Sequence, residues 1–349
     1  MKKLYLAAVV ILISCSQPNK SSDILELKLS DFQKKENLKG EKIFFDSLLN
    51  PRRILLKNDI LVISSRESGN LIHLIDKNKL EYLSSKGIQG DGPGEIRSSI
   101  WELDRGLNDS TFWAYDLSSK SIHEYALYKQ SKYASRTINQ KQDWFMSFSN
   151  HWISPNEIIS NVSRDNYKFG VFDSLGNRVK SFGSWFPEKE IDEKTGHLLL
   201  LLNQGPIEFN SKNQTLVHSR IQYELLEISN LKTGKTFGIY GPELYEVKYD
   251  IFDSDGLPVA NVDIDTPQGY SDVFVGEESI FAIYIGKTPA SIKASGESSR
   301  TIFEFDLAGN PLSLFELNYP IQSITVDEKE KKIYAITDDR EPGIAVFKY

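Results

Sequence analysis

Short runs in which apolar and polar residues alternate recur along most of the chain, each closed by a cluster of Gly, Asn, Asp or Pro. A period of two marks half-buried β-strands, and the turn residues between runs mark antiparallel connections. Taken in fours, the runs form repeating units. Unit one has Arg53–Leu56, Leu61–Ile63, Leu71–Ile75 and Glu81–Ser84. Unit two has Trp101–Leu103, Thr111–Tyr115, Ile122–Leu127 and Tyr133–Ile138. Unit three has Phe145–Phe148, Glu157–Val162, Lys168–Asp173 and Arg178–Phe182. Unit four has Ile207–Phe209, Thr215–Ser219, Glu224–Ser229 and Lys235–Tyr240. Unit five has Asp272–Val275, Ser279–Ile285, Thr301–Asp306 and Leu312–Leu317. Unit six has Gln322–Val326, Lys332–Thr337 and Gly343–Tyr349.

Turn chemistry supports these divisions. Phe172-Asp173-Ser174-Leu175-Gly176-Asn177 and Phe305-Asp306-Leu307-Ala308-Gly309-Asn310 are near copies, each with an Asp to close an Asx-type turn and a Gly where positive φ is needed. Units of roughly 50 residues fit four-stranded propeller blades. Unit six lacks a fourth strand, and Ile24–Leu29 alternates correctly with no other home. It is expected to join the last blade and close the ring. Lys194–Gln204 reads as a helix stopped by Gly205-Pro206, although its five consecutive leucines fit a buried strand as well.

The densest turn chemistry lies between units one and two, in Lys86–Ile96. Pro93-Gly94 fits the centre of a type II turn, with positive φ at Gly94. Glu95 can fold its carboxylate back onto loop N–H groups. Gly90-x-Gly92 opens like a dinucleotide fingerprint, but Pro93 has no N–H and a strand-like run, Ser99–Leu103, follows where a helix is required. Gly90, Gly92, Pro93, Gly94 and Glu95 therefore read as a structural joint.

Gly-Asp-Gly-Pro-Gly-Glu after a three-strand blade resembles the joint of the TolB-like six-bladed β-propeller lipoproteins of Bacteroidetes. The resemblance implies an all-β, six-bladed propeller over nearly all of the mature chain. It implies a fold and an address more than an activity.

The N-terminus is consistent with that address. Lys2 and Lys3 precede an apolar run, Leu4 to Ile13, too short to span a bilayer. It ends in Leu12-Ile13-Ser14-Cys15, which resembles the bacterial lipobox, with Cys15 as the lipidated first residue of the mature protein. The expected organisation is a signal peptide at 1–14, a lipidated cysteine and flexible tether at 15–23, and the propeller at 24–349. Cys15 is the chain's single cysteine, so the mature fold would have no disulfide. Surface-exported lipoproteins of these bacteria carry acidic residues after the cysteine. Here Ser-Gln-Pro-Asn-Lys follows, so the periplasmic face of the outer membrane is expected rather than the cell surface.

Composition adds little beyond exclusion. Loss of Lys2 and Lys3 with the signal peptide takes the formal charge from −7 to −9. An acidic domain without a basic run is a poor nucleic-acid binder. Aromatics are many and methionines number two, which suits β structure.

Candidate chemistry is sparse. His73, His123, His151, His197 and His218 are scattered, and none sits in a metal-binding spacing. No Gly-x-Ser-x-Gly motif occurs. Asp250, Asp253, Asp255, Asp263 and Asp265 form the most site-like cluster. An EF-hand register fails there, because the first and twelfth ligand positions would be Ile251 and Val262. A solvated loop between units four and five is the stronger reading, with a Ca²⁺ site in that loop as the alternative. The aromatic run Asp143–Trp152 suits either sugar stacking or packing between blades. Asp46–Leu48, Asp173–Leu175 and Asp109–Thr111 resemble the Bacteroidetes O-glycosylation acceptor pattern.

The function expected is a lipid-anchored envelope propeller that binds or scaffolds a protein or glycan partner. It is expected to be a monomer without a cofactor and without catalytic or metal-binding residues. The alternative is a Ca²⁺-dependent propeller hydrolase of the lactonase or esterase kind, which would need acidic or amide side chains gathered at the centre of the ring.

Overall fold

The computed structural model describes residues 23–144, 147–162, 167–185 and 193–349. The signal peptide, Cys15 and nearly all of the tether lie outside these residues.

The described chain begins as a strap on the outside of the ring: β1 (Asp23–Glu26), β2 (Lys34–Leu38) and β3 (Glu41–Ile43). Blade one follows with β4 (Pro51–Lys57), β5 (Ile60–Ser65), β6 (Asn70–Asp76) and β7 (Tyr82–Ile88). Blade two has β8 (Ile100–Asp104), β9 (Thr111–Asp116), β10 (Ser121–Ala126) and β11 (Arg136–Asn139). Blade three has β12 (Asn150–Ser154), β13 (Glu157–Asn161), β14 (Phe169–Asp173) and β15 (Arg178–Phe182). Helix α1 (Glu193–Leu202) leads into blade four, made of β16 (Ile207–Asn210), β17 (Thr215–Ser219), β18 (Leu225–Asn230) and β19 (Thr236–Tyr240). A separate hairpin, β20 (Tyr249–Ser254) and β21 (Leu257–Val262), stands before blade five. That blade has β22 (Tyr270–Val275), β23 (Ser279–Tyr284), a short helix α2 (Pro289–Ser295) and β24 (Ser299–Asp306). Next, β25 (Pro311–Asp327) serves two blades: its first half is the outer strand of blade five and its second half the inner strand of blade six. β26 (Lys332–Thr337) and β27 (Ile344–Lys348) complete the chain.

Six hydrophobic clusters lie between neighbouring blades and go once round the ring. Ile54, Leu61 and Ile63 of blade one meet Tyr334, Ile336 and Ile344 of blade six, so the last interface is made as the others are. The second strand of each blade is thus buried on both faces, which is why β5, β17 and β23 are buried along their whole length, whereas outer strands such as β11 and β15 stay exposed or half-buried over most of theirs. The twin turns share one geometry. Asp173 Oδ1 accepts from Leu175 and Asn177, and Asp306 Oδ1 from Ala308 and Asn310.

The ring is closed by an N-terminal strand on the last blade, but that strand is β3. Glu41–Ile43 pairs antiparallel with Val346–Ile344 of β27. The segment expected to do this, Ile24–Leu29, lies two blades earlier. Its first part, in β1, runs parallel to β19 as a fifth strand of blade four. Between them, β2 runs parallel to the outer half of β25. Alternation identified a strand without identifying its edge. Two further differences are local. The inner strand of blade three is Asn150–Ser154, downstream of the expected Phe145–Phe148; Phe145 and Met146 lie outside the described residues. The outer strand of blade two starts at Arg136. The leucine run is the expected helix, α1, with Leu199 and Leu200 packed on Trp185.

Candidate functional site

Inner strands surround the axis, so their side chains are the ones that converge. Strands of a meander alternate in direction. The links between second and third strands therefore emerge on one face, together with the links from each blade to the next. This is called the upper face here; turns joining first to second and third to fourth strands emerge on the lower face.

Arg53, Glu102, Glu208, Asp272 and Ser323 bring residues of five blades to an axial cavity of about 70 Å³, with Phe148 and Ser149 from the approach to blade three. Gln204, Gly205, Pro206 and Ile221, all on upper-face links, also line it. Arg53 Nη1 is 3.7 Å from Asp272 Oδ1, and its Nε donates to Trp101 O at 3.3 Å. The other Asp272 oxygen accepts from Ile324 N at 2.9 Å. Burial pushes the Asp272 carboxyl up, against the pull of Arg53 and this N–H.

His151 is held between two carboxylates. Its Nδ1 is 3.1 Å from Asp104 Oδ1 and its Nε2 3.2 Å from Glu102 Oε1. Burial opposes a charge on the ring, but Glu102 and Asp104 together hold its pKa well above the ordinary histidine value. The remaining oxygens accept from Asn150 N and Trp152 N. At the lower end Arg105 crosses the axis: its guanidinium pairs with Glu208, donates to Val275 O at 3.1 Å and lies over the Phe274 ring. Burial pushes the Glu208 carboxyl up, with Arg105 and His151 opposing. Every one of these carboxylates thus has a cation beside it.

A second buried cluster joins blades three and four. Glu227 pairs with Lys168 and, at 2.9 Å, with Arg220. Burial pushes the Lys168 ammonium down to about 8 despite Glu227. This cluster sits within the blade interface, away from the axis.

The residues singled out from sequence fall in different places. His73 bonds Ser65 and Tyr82, and His123 bonds Ser121 and Thr137, each within its own blade. His218 is buried against Phe169, and His197 is buried on α1. Only His151 reaches the channel cluster. The five aspartates do not converge. Asp250 and Asp253 lie on β20, Asp255 in the hairpin turn, and Asp263 and Asp265 at its root. Among the described residues no three metal-ligating side chains are grouped. In the aromatic run, Trp144 stacks on Phe172 at 4.6 Å and Trp152 packs on Trp113 at 4.9 Å, so both are blade packing. At the joint, Gly94 has φ 77° and Gly92 N donates to Glu95 Oε2 at 2.8 Å. Gly94 O accepts from Ala134 N, tying the joint to the approach to β11. Cys15 lies outside the described residues.

Sequence reading missed Arg53, Glu102, Asp104, Arg105, Glu208 and Asp272. One signal was present: a charged residue within or beside the first run of a unit, where the other positions are apolar or small.

The upper face also carries the longest links. Residues 241–269 hold the hairpin, whose Ile251 and Phe252 are 56% and 51% exposed. Along its root runs an open groove of about 700 Å³ lined by Glu246, Lys248, Tyr249, Asp250, Asn261 and Asp263.

The family model described as TolB-like 6-blade propeller-like matches residues 29–329. A solved structure of an exported protein from Bacteroides fragilis is similar, with TM-score 0.57 and 16% identity over 93% of this chain and 98% of that one. The U3-55K structure (TM-score 0.53, 10% identity, 90% and 98% covered) and the RRP9 WD40 repeats (0.52, 10%, 89% and 97%) share the fold. No curated protein sequence matches the chain.

Proposed function

Because the chain belongs to the TolB-like 6-blade propeller-like family, we propose that it is a lipid-anchored envelope propeller that presents its upper face to a protein or glycan partner. The anchor is Cys15, and the address is the outer membrane on its periplasmic side. Export of the similar Bacteroides fragilis protein supports the address.

One contrast carries the binding role. The axial cavity, at about 70 Å³, has room for about five waters. That is well below the roughly 300–1,000 Å³ of small-molecule pockets. Its charges are satisfied by one another. The upper face, by comparison, holds the long links and exposes Ile251 and Phe252, which is where a partner finds apolar area and unused polar groups.

Photo-cross-linking in the intact envelope tests this. A photoreactive residue at Phe252, on the upper face, should capture a partner, whereas one at Lys232, in a lower-face turn, should not. The Phe252 product should fall away when Cys15→Ala releases the chain from the membrane fraction. Equal capture at both positions, or none at Phe252, would sink the proposal, and a Cys15→Ala chain that still carries lipid would remove the anchor.

A further inference from the structure

We propose that the free edge of β20 is a docking site for an extended segment of a partner protein that carries basic residues beside its apolar ones. This deepens the binding-module reading and rests on it.

The hairpin's own geometry sets which backbone groups are free. Asp255 and Gly256 both have positive φ, 53° and 84°, and Ser254 pairs with Leu257, so the loop is a two-residue turn of the primed kind. Backbone pairing alternates along such a ladder. Ser254, Phe252 and Asp250 direct N–H and C=O towards β21, while Asp253, Ile251 and Tyr249 direct theirs away from it. Among the described residues, no other strand pairs with β20.

The two edges of the hairpin differ. On β21, Pro258 sits opposite Asp253, at a position whose backbone faces outwards, and proline offers no N–H there. Helix α1 also packs against β21. On β20 there is no proline, and among the described residues no strand other than β21 pairs with it. The outer strands of blades four, five and six are covered by β1, β2 and β3. Those of blades two and three carry Arg136, Arg178 and Lys180, the kind of charge that blunts an edge.

Charge and shape select the occupant. Between Gly241 and Asp265 there are seven acidic residues, with Lys248 the one base. A second copy laid on this edge would bring aspartates against aspartates, which disfavours self-pairing. A strand with Lys or Arg at flanking positions is complementary. Ile251 and Phe252 project from opposite faces of the ribbon, so an added strand would find an apolar neighbour on each. The groove at the hairpin root continues the edge towards the ring. This is strand addition, with backbone bonds giving affinity and alternate side chains giving selectivity.

The test is a random peptide library panned on the purified chain, followed by affinity measurements on the selected peptides. Ile251→Pro removes an outward N–H that no strand among the described residues uses, so its melting curve should match that of the parent. Asp250→Lys leaves the backbone intact and reverses one charge. The selected peptides should be rich in Lys and Arg beside alternating apolar residues. They should bind Ile251→Pro roughly tenfold more weakly, the loss of one or two backbone bonds. Asp250→Lys should also weaken them and flatten their salt dependence. Peptides that are neutral or acidic, or that bind both variants like the parent, would overturn the proposal, as would an empty selection. A dimer seen by sedimentation and lost in Ile251→Pro would make a second copy the occupant and overturn it too. Envelope cross-linking from Phe252 that persists in Ile251→Pro would keep the binding-module reading and remove the edge from it.

Discussion

One carboxylate accounts for two glycines of the joint between blades one and two. A Cβ on Gly90 would overlap Glu95, and one on Gly92 would come within 2.9 Å of it. Neither glycine has positive φ, so the carboxylate excludes a side chain there, rather than the backbone angle. Gly90→Ala should cost about 1–2 kcal/mol by displacing Glu95 from Gly92 N. In a Glu95→Ala background the same change should cost almost nothing more, and denaturant melts of the four chains measure that coupling. Independent costs would mean that Glu95 is not the obstacle. A pH effect belongs to His151. Its folded-state pKa lies well above 6.5, raised by Glu102 and Asp104. Its charge therefore favours the fold fully below about pH 6.5, and that contribution fades as pH climbs through the raised value. His151→Gln should be less stable by about 3–5 kcal/mol near pH 6. The gap should narrow from there towards alkaline pH; a gap that widens would contradict the assignment. The joint could be read from sequence because Pro93, Gly94 and Glu95 act on near neighbours. The channel could not, because Arg53 and Asp272 are brought together only when the ring closes.

Strands were legible wherever a blade buries them on both faces, as in Leu61–Ile63 or Ser279–Tyr284. They were least legible where the neighbour is the channel or the outside. Asn150–Ser154 begins with Asn150 and His151, which turn polar groups inwards, so the more apolar run before it looked the better strand. The closing strand has only Glu41, Lys42 and Ile43 and no alternation to speak of. It is fixed by partners remote in sequence: Lys42 pairs with Asp339 at 2.8 Å, and Gly40 N donates to Asn318 Oδ1 at 2.9 Å. Gly40 itself lies so close to the Phe347 ring that a Cβ would collide with it. Truncation separates the strap's parts. Removing residues up to Asp31 takes only Leu27 from the core, whereas removing them up to Ile43 takes Phe32, Leu38 and the closing strand as well. Phe32 packs on Phe303 at 4.7 Å and Leu38 on the cluster between blades five and six. Burial of two such side chains is worth about 3–6 kcal/mol, against a typical net stability of about 5–15 kcal/mol. The longer truncation should melt much lower and aggregate, while the shorter one should lose about 1.5–3 kcal/mol, the share of Leu27 alone. If both melt with the full chain, β3 does not close the ring.

At the scale of the molecule, six similar interfaces make a stiff ring, and the parts that differ between blades are the links on its upper face. The axial charges lock inner strands to one another, as Asp104 and Glu102 lock blade two to blade three through His151. The hairpin after blade four takes no part in that ring. Its outward edge on β20 is left without a strand partner among the described residues, and unlike the outer strands of blades two and three it carries no basic side chain; the proposed binding role rests on that open edge. Amide exchange of the free chain at single-residue resolution tests that claim without needing the partner. Amides buried in the blades, such as those of Val62 and Ala282, should exchange slowest. Along β20 the rates should alternate, with Ile251 and Asp253 exchanging fast and Asp250, Phe252 and Ser254 protected by β21. Uniform protection of β20 in the free chain would mean that its edge is already covered and closed to a partner strand.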